Sequence, residues 1–589
     1  MTHSALPLVI GVTGHRDLVA EQEEPVRQLV ASIFDKYARL CPNTQLVLLT
    51  PLAEGADRWV ARAALAWNET RRGQGQSPIE ILAPLPMPLE AYRQDFEEPG
   101  SLEEFQELQD HPEITAFPIH SDTSQSTAAL VESEQERRHA YVSLARIMAS
   151  HCHVLIALSD REPGAATDEI HLPEGAEPGG TEEVIRRFRH GPPLALPFEN
   201  PLDAPEGLIL ENIRVARQRH ASAPALAHET VPCSPNAEDT IESIETFNRD
   251  VRDAGLSESA LQTARGYLLP TDVQAAEADR VAGYMELFAT ADTLSTERFQ
   301  KRWKRFFLIL MAVPFLAVIL FETYCHLIPG TQPVLAAYLI ATAVSAGLFK
   351  LANRQALENK YLVYRSLAEA MRVQVGLALA GSSRSVASLY DRVHRREIEW
   401  VRQALKGSYV KQMARLRASQ TRADNGPDGI RLSLEHWVRD QERWVRRRAD
   451  SYKHMHHRCH RITQVLVTLS TILCVALLVF GFRHSAEAGH EAHHHMEHMF
   501  IVAIVLLMAS GGLVHEYSRR MGHAALAKRY VPMSELFARA EKRVEAILKA
   551  TNNPEQARHV LDSLAREALN ENTAWLLFRR DNPLEIHSH

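Results

Sequence analysis

Three short segments in the first half of the chain combine glycine with residue types that bind phosphates or ribose hydroxyls. Glycine lets a backbone approach a ligand closely, the N–H groups at a helix start bind phosphate, and arginine pairs with phosphate through two hydrogen bonds. Carboxylates suit ribose hydroxyls. We therefore predict a nucleotide site formed by Gly11, Thr13, Gly14, His15 and Arg16, by Glu54, Gly55 and Asp57, and by Gly179, Gly180, Thr181 and Glu182.

The surrounding sequence predicts the elements that position these segments. Strand patterns cover 7–12, 45–50, 79–83 and 152–158, and helical periodicity covers 24–40, 58–67, 134–150 and 184–189. Such alternation is typical of a parallel sheet with helices on both faces, in which ligands bind at the carboxyl ends of the strands. We therefore expect an α/β, Rossmann-like parallel-sheet domain over residues 1–190, followed by an all-α membrane domain.

The same segments resemble the SLOG superfamily of Rossmann-like nucleotide-binding domains, which includes the LOG phosphoribohydrolases, DprA and the TRPM channel sensor domain. The resemblance is carried by I-G-V-T-G-H-R-D-L at 10–18, L-A-E-G-A-D at 52–57, H-V-L-I-A-L at 153–158 and G-G-T-E-E-V at 179–184. LOG enzymes carry P-G-G-x-G-T-x-x-E, whereas this chain has P-G-G-T-E-E at 178–183 and lacks the x-G step. The resemblance therefore implies nucleotide binding more strongly than hydrolysis.

Two alternatives remain open at this point. In the first, the domain is a LOG-like nucleotide N-glycosidase in which Glu183 or Glu54 acts as the acid or base while Arg16 holds the phosphate. In the second, the chain is a membrane scaffold whose sheet domain binds no ligand. The leading interpretation is a membrane-anchored nucleotide sensor whose sheet domain controls a membrane effector. No cofactor is expected to be required in any of the three, and a nucleotide is the expected ligand of the sensor and of the glycosidase.

Four stretches in the second half of the chain are apolar and carry no Asp, Glu, Lys or Arg. They cover 306–321, 333–349, 462–482 and 498–515, and they form two hairpins. Their lengths are close to the roughly 17–25 residues that a membrane-spanning helix needs. We therefore predict four transmembrane helices in the cell (inner) membrane, with the lipid bilayer as a partner.

Basic residues flank the outer ends of both predicted hairpins. They lie at 301–305, 350–354, 458–461 and 519–520, whereas the hairpin loops 322–332 and 483–497 contain Arg483 as their one Lys or Arg. The positive-inside rule therefore places both termini and residues 350–461 in the cytoplasm.

Charge is unevenly distributed along the chain. Residues 1–300 contain 24 Lys and Arg against 48 Asp and Glu, while residues 350–461 contain 24 against 11. The acidic half would repel phosphate backbones, so no nucleic-acid partner is expected, and the basic segment is expected near anionic lipid headgroups. Six scattered cysteines without a C-x-x-C pair suit a reducing compartment, and the first residues lack the features of a signal peptide.

These patterns divide the chain into six expected regions. They are a SLOG-like domain at 1–190, a loop-rich linker and helical connector at 191–300, a transmembrane hairpin at 301–350, a basic cytoplasmic helical region at 351–461, a second hairpin at 462–516 and cytoplasmic helices at 517–589. Tyr364–Gln374 and the tail at 565–585 resemble four-helix membrane proteins of the SLATT-like group. That resemblance implies a homo-oligomeric membrane effector in bacterial nucleotide signalling or defence, with pore formation as one form of its response.

The second hairpin loop is rich in histidine. Imidazoles suit Zn, Ni or Cu, and the weak metal candidates are His490, His493, His494, His495 and His498. The loop has no fixed ligand spacing, so we expect a solvated loop that collects metal weakly and no metal site.

Overall fold

The computed structural model describes residues 6–96, 99–119, 133–161, 178–192, 205–218, 226–355, 357–391, 393–419, 426–484 and 490–580, without the side chains of 99, 352–355, 480–484 and 490–495. The chain forms two compact units. The α/β unit consists of Met1–Ala291 and Leu367–Ile430, and the helical unit consists of Asp292–Ser366 and Arg431–His589. The chain therefore passes from one unit to the other three times.

A seven-stranded sheet forms the centre of the α/β unit, with the strand order β4-β3-β2-β1-β5-β6-β7. The first six strands are parallel and β7 is antiparallel to β6. The strands are β1 (Pro7–Gly14), β2 (Gln45–Leu49), β3 (Glu80–Leu85), β4 (Ile114–Pro118), β5 (Val154–Ser159), β6 (Ile209–Arg214) and β7 (Ala227–Pro232). The predicted parallel sheet is thus confirmed, with an antiparallel edge strand added.

Helices cover both faces of this sheet and form most of the remaining chain. Up to residue 293 they are α1 (Glu23–Leu40), α2 (Ala56–Gly73), α3 (Leu89–Tyr92), α4 (Pro99–Gln109), α5 (Glu134–His151), α6 (Thr181–His190), α7 (Ala237–Ala254), α8 (Glu258–Gly266), α9 (Thr271–Ala276) and α10 (Ala278–Thr293). Alternate residues of β1 face opposite sides of the sheet, as the two-residue period of a strand requires. Leu8 and Ile10 pack with α1 and α2, and Val9 packs with α5 and α6.

The order of the strands reverses beside β1. β2 pairs with one side of β1 and β5 pairs with the other, so the connections leave β1 in opposite directions. In open α/β sheets, ligands bind in the crevice outside the carboxyl ends of strands at such a switch point. The residues that follow β1 and β5 therefore define the place to search for a site.

The region at 191–300, expected as a loop-rich linker and helical connector, contains two strands, β6 and β7, so the expectation of a loop-rich linker there is wrong. Polar Glu211 interrupts the apolar pattern of β6, which hid the strand. Its side chain is fully buried, and its carboxylate accepts hydrogen bonds from Lys36 Nζ at 2.7 Å and Tyr37 Oη at 2.6 Å. Such partners make burial of a charged group tolerable in the centre of a sheet.

The second half of the chain is helical. Its helices are α11 (Lys301–Glu322), α12 (Gln332–Gln355), α13 (Leu357–Leu379), α14 (Glu399–Ala418), α15 (Gly426–Ser433), α16 (Asp440–His484), α17 (His490–Arg520), α18 (His523–Ala550) and α19 (Pro554–Arg580), with π-helical segments at Leu294–Gln300, Thr323–Leu327 and Leu434–Arg439. The sequence predicts region boundaries at 350, 351 and 461. The compact units do not divide there, because residues 367–430 belong to the α/β unit.

Helix α14 shows why this segment belongs to the α/β unit. Val410 and Ala414 join the same hydrophobic core as Val9. Gly407 lies against the start of β1, where a Cβ would be 2.9 Å from the Cγ of Pro7. Lys411 Nζ lies 2.7 Å from the carboxylate of Glu80, the first residue of β3. The helix that was expected at the lipid surface thus packs at the amino ends of the strands.

Four helices are long and apolar enough to cross a membrane. The helical stretches are Ala278–Leu327, Gln332–Leu351, Gly426–Val479 and Met496–Ala550. Large apolar side chains on them are exposed, for example Leu308 at 61%, Ile340 at 64% and Leu478 at 62%. Apolar exposure of this extent is typical of surfaces that face lipid or a partner.

Small and hydroxyl side chains lie where α16 and α17 meet. Thr463 Oγ1 donates a hydrogen bond to the Gly511 carbonyl at 3.4 Å, and Ser470 Oγ donates to the Ile504 carbonyl at 3.3 Å. Gly511 lies in this interface, where a Cβ would be in ordinary van der Waals contact with Val467 at 3.6 Å. Such contacts stabilise helix pairs in membranes.

Candidate functional site

The carboxyl edge of β1 is a tightly packed turn. A Cβ at Gly14 would lie 2.3 Å from the Cβ of Ala56, so no larger residue fits there. Gly55 has a φ of +72°, and a Cβ on it would lie 2.5 Å from the Arg16 carbonyl oxygen. The Ala56 N–H donates to the His15 carbonyl at 3.3 Å. Two of the three predicted segments are therefore in direct contact.

A second turn at this edge opens helix α6. Gly180 is the N-cap residue, and Gly179 has a φ of +81°. Glu183 accepts hydrogen bonds from the Gly179 N–H and from Arg187 Nε, both at 2.6 Å, and its side chain is 1% exposed. Because both carboxylate oxygens are engaged within the chain, Glu183 stabilises this turn. Glu183 is thus placed as a structural residue.

Three ligand-type side chains meet between these turns. His15 follows β1, Asp160 follows β5, and Glu182 lies in the first turn of α6. His15 Nε2 lies 3.4 Å from Asp160 Oδ1 and 4.0 Å from Glu182 Oε1. Among the residues that the structure describes, this is the one group of three such side chains close enough to hold a metal ion.

The cluster is largely buried and lies among cations. Arg161 Nε is 3.7 Å from Glu182 Oε1, and Arg217 Nη1 is 3.9 Å from Asp160 Oδ2. Burial lowers the pKa of His15, and the charge of Arg217 acts in the same direction. Burial raises the pKa of Glu182. Both shifts disfavour the charged form of the side chain, as burial generally does.

Arg16 is the predicted residue best placed to meet an anion. Its side chain is 43% exposed, and its Nη2 donates a hydrogen bond to Tyr141 Oη at 3.2 Å. Tyr141 in turn donates to the carboxylate of Asp95. Glu54 Oε2 lies 3.9 Å from Arg16 Nη1. This arrangement holds the guanidinium at the carboxyl edge while leaving part of it accessible.

The remaining predicted residues are placed in three ways. Asp57 is buried and accepts a hydrogen bond from the Ala53 N–H at 3.2 Å, and burial raises its pKa to about 7. Gly11 lies inside β1, where a Cβ would be 2.3 Å from Cys152 Sγ, and Thr13 is 8% exposed. Thr181 is the first residue of α6. Gly11 and Asp57 therefore serve packing and the turn, while Thr181 lies at the helix start.

Sequence reasoning missed three residues of this site. Asp160 is the first residue after β5, Arg161 follows it, and Arg217 lies just beyond β6. The signal for Asp160 was present, because the first polar residue after a buried strand falls at the carboxyl edge. Arg217 was hidden because β6 itself was not predicted.

The histidine-rich loop can be described only in part. His498 Nδ1 lies 3.3 Å from His326 Nδ1. The side chains of His490, His493, His494 and His495 lie outside the described residues, so their metal-binding candidacy stays a prediction.

Comparisons with protein-family models, with curated proteins and with solved structures found no match for this chain. Functional inference therefore depends on the geometry above.

Proposed function

We propose that the protein is a membrane-anchored nucleotide sensor, in which the α/β unit binds a nucleotide and a four-helix membrane region responds as an effector. The expected ligand is a phosphorylated nucleotide, either a second messenger or an NAD-derived molecule. The sequence resemblance to SLOG and SLATT-like proteins points to the same function in signalling or defence.

One observation carries the proposal. Arg16 and the Gly180 N-cap of α6 both lie beside the switch point between β1 and β5. The guanidinium is accessible, and the start of α6 offers backbone N–H groups that favour a phosphate. Gly14 and Gly55 hold the adjoining turn so tightly that their backbone geometry is fixed before a ligand arrives. Preformed anion-binding groups at a switch point are the usual setting for a nucleotide.

The membrane assignment depends on four helices and their flanks. Their length and apolar surface suit a bilayer, and the distribution of Lys and Arg favours an orientation with both termini in the cytoplasm. Nucleotide binding must favour one state of the membrane region over another for a response to follow. Pore opening or membrane disruption in a homo-oligomer would be such a response.

The test uses full-length protein purified in detergent. It is incubated in EDTA with mono-, di-, cyclic and NAD-derived nucleotides, and the bound fraction is chromatographed. We expect one nucleotide to co-elute intact. Arg16→Gln should lower its affinity about tenfold or more, since a hydrogen bond to a charged group contributes roughly 1.5–3 kcal/mol.

The matched control is Arg39→Gln, because Arg39 is an exposed arginine in the last turn of α1. It changes the net charge equally and should leave binding unaltered. The proposal fails if the wild type retains no nucleotide, or if the two variants bind alike. Recovery of a free base would indicate a nucleotide N-glycosidase instead.

The effector half is tested in liposomes loaded with a fluorescent dye. The nucleotide that co-elutes should release dye from vesicles that contain the wild type and not from those with Arg16→Gln. Nucleotide binding without dye release would confine the proposal to the α/β unit.

A further inference from the structure

Three buried ligand atoms from separate elements converge at the switch point. His15 Nε2, Asp160 Oδ1 and Glu182 Oε1 all lie within 4.8 Å of one another. Ligands bound to one cation at about 2.0–2.2 Å are separated by roughly 3–4.4 Å. We propose that these three side chains form a binding site for one divalent transition-metal cation.

Two of these atoms lack a hydrogen bond of their own. His15 Nε2 and Glu182 Oε1 are buried and form none with any residue that the structure describes, and each side chain is 12% exposed. Buried polar atoms in folded proteins are normally bonded, so such atoms aimed at one point require a partner. A cation between them would serve both atoms at once.

The chemistry of the donors selects the class of cation. The imidazole of His15 offers a ring nitrogen, and Asp160 and Glu182 each offer a carboxylate oxygen. One nitrogen and two oxygen donors suit Mn²⁺ and its neighbours among the first-row metals.

This inference goes beyond the proposed nucleotide site and stands without it. It needs only the three side chains, although His15 and Glu182 were also predicted to contact nucleotide. Three protein ligands leave further coordination positions to water or to a phosphate oxygen. The two kinds of binding are measured separately: metal binding in the absence of nucleotide, and nucleotide binding in EDTA.

The experiment is a titration of full-length, EDTA-treated protein with Mn²⁺, followed by electron paramagnetic resonance. Mn²⁺ is chosen because carboxylate oxygens suit it, whereas the histidines of the 483–498 loop favour Zn, Ni or Cu. We expect one bound Mn²⁺ per chain, with spin-echo modulation from the imidazole ¹⁴N of His15. A variant with His490, His493, His494, His495 and His498 replaced by glutamine should bind Mn²⁺ equally well.

Two substitutions test the carboxylates. Asp160→Asn and Glu182→Gln should each weaken Mn²⁺ binding at least tenfold, since changes around a metal typically lower affinity by about 10–100-fold. Glu80→Gln, which removes a carboxylate at the opposite edge of the sheet, should not.

Circular dichroism first checks that each variant is folded, and the ¹⁴N modulation needs no variant at all. The proposal is overturned if the wild type shows no saturable Mn²⁺ binding or binds without ¹⁴N modulation. It is also overturned if Asp160→Asn and Glu182→Gln bind as the wild type does. Loss of nucleotide binding in EDTA, with Mn²⁺ binding intact, would count against the sensor alone.

Discussion

Buried ionisable side chains lie at both edges of the sheet, but the partners of these side chains differ. At the amino edge, the Glu206 carboxylate contacts Arg402, Lys406 and Arg395, the last at 3.2 Å. His153 uses both ring nitrogens there, since Nδ1 accepts from the Val9 N–H at 2.8 Å and Nε2 lies 3.0 Å from the Gln403 carbonyl. These groups bind α14 to the strands.

At the carboxyl edge, two buried polar atoms lack hydrogen-bond partners of this kind within the described part of the chain. His15 Nε2 and Glu182 Oε1 form no hydrogen bond with the described residues, and Arg161 Nε lies 3.7 Å from Glu182 Oε1. Burial of a charged side chain therefore does not by itself identify a ligand-binding site. Partners within the chain mark a structural role, whereas converging atoms without partners mark a place for a ligand.

The largest effect that would test this comparison comes from Glu206→Gln. Its loss removes the carboxylate that Arg395, Arg402 and Lys406 share, although Arg402 keeps Glu399, and removing one partner of a buried pair costs about 3–5 kcal/mol. We expect the thermal unfolding midpoint of the full-length protein in detergent to fall accordingly, as measured by circular dichroism.

Glu80→Gln is the matched control at the same edge. Its partner is Lys411, and the Glu80 side chain is 34% exposed, so its loss should cost about 0–1 kcal/mol. Equal destabilisation by both substitutions would show that the buried network does not secure α14.

The pH dependence of stability should report the same network. Burial alone would raise the pKa of Glu206, but the charges of Arg402 and Lys406 outweigh it and lower the pKa from 4.5 to about 2. The carboxylate therefore stabilises the fold above pH 4.5, and this contribution of about 3 kcal/mol is lost as the pH falls through 2. Unfolding midpoints measured from pH 6 to pH 2 should decline less steeply in Glu206→Gln. Parallel curves would contradict the assignment.

Sequence reasoning predicted the carboxyl edge better than the amino edge, and the reason is physical. The turns at 14–16 and 179–181 and the helices that follow them are local features, so glycine placement and periodicity reveal them. α14 reaches its partner Glu206 across about two hundred residues of chain, and no local pattern reveals such a contact. Its Arg402 and Lys406 therefore looked like residues for lipid headgroups. Buried Glu211 concealed β6 in the same way, because its partners come from other elements.

Asp57 provides a test of pH-dependent stability at the carboxyl edge. Burial raises its pKa from 3.8 to about 7, so its contribution to stability is full below pH 3.8 and is lost as the pH rises through 7. Asp57→Asn keeps an oxygen to accept the Ala53 N–H but cannot ionise. It should be more stable than the wild type at pH 8, by roughly 4 kcal/mol, and should gain nothing near pH 3.8. Unfolding midpoints at the two pH values measure this, and a less stable variant at pH 8 would contradict it.

The smallest expected effect on stability, that of Glu182→Gln, distinguishes a metal-binding carboxylate from a structural one. In EDTA, Glu182→Gln should unfold at or slightly above the wild-type midpoint, within about 1 kcal/mol, because burial already disfavours the charged carboxylate. With Mn²⁺ at a hundred times its dissociation constant, the wild type should gain about 2.7 kcal/mol while Glu182→Gln gains much less. The two unfolding curves should therefore exchange order when metal is added. If Glu182→Gln in EDTA instead lost as much stability as Glu206→Gln, the Glu182 carboxylate would be a structural partner, and the two edges of the sheet would not differ in kind.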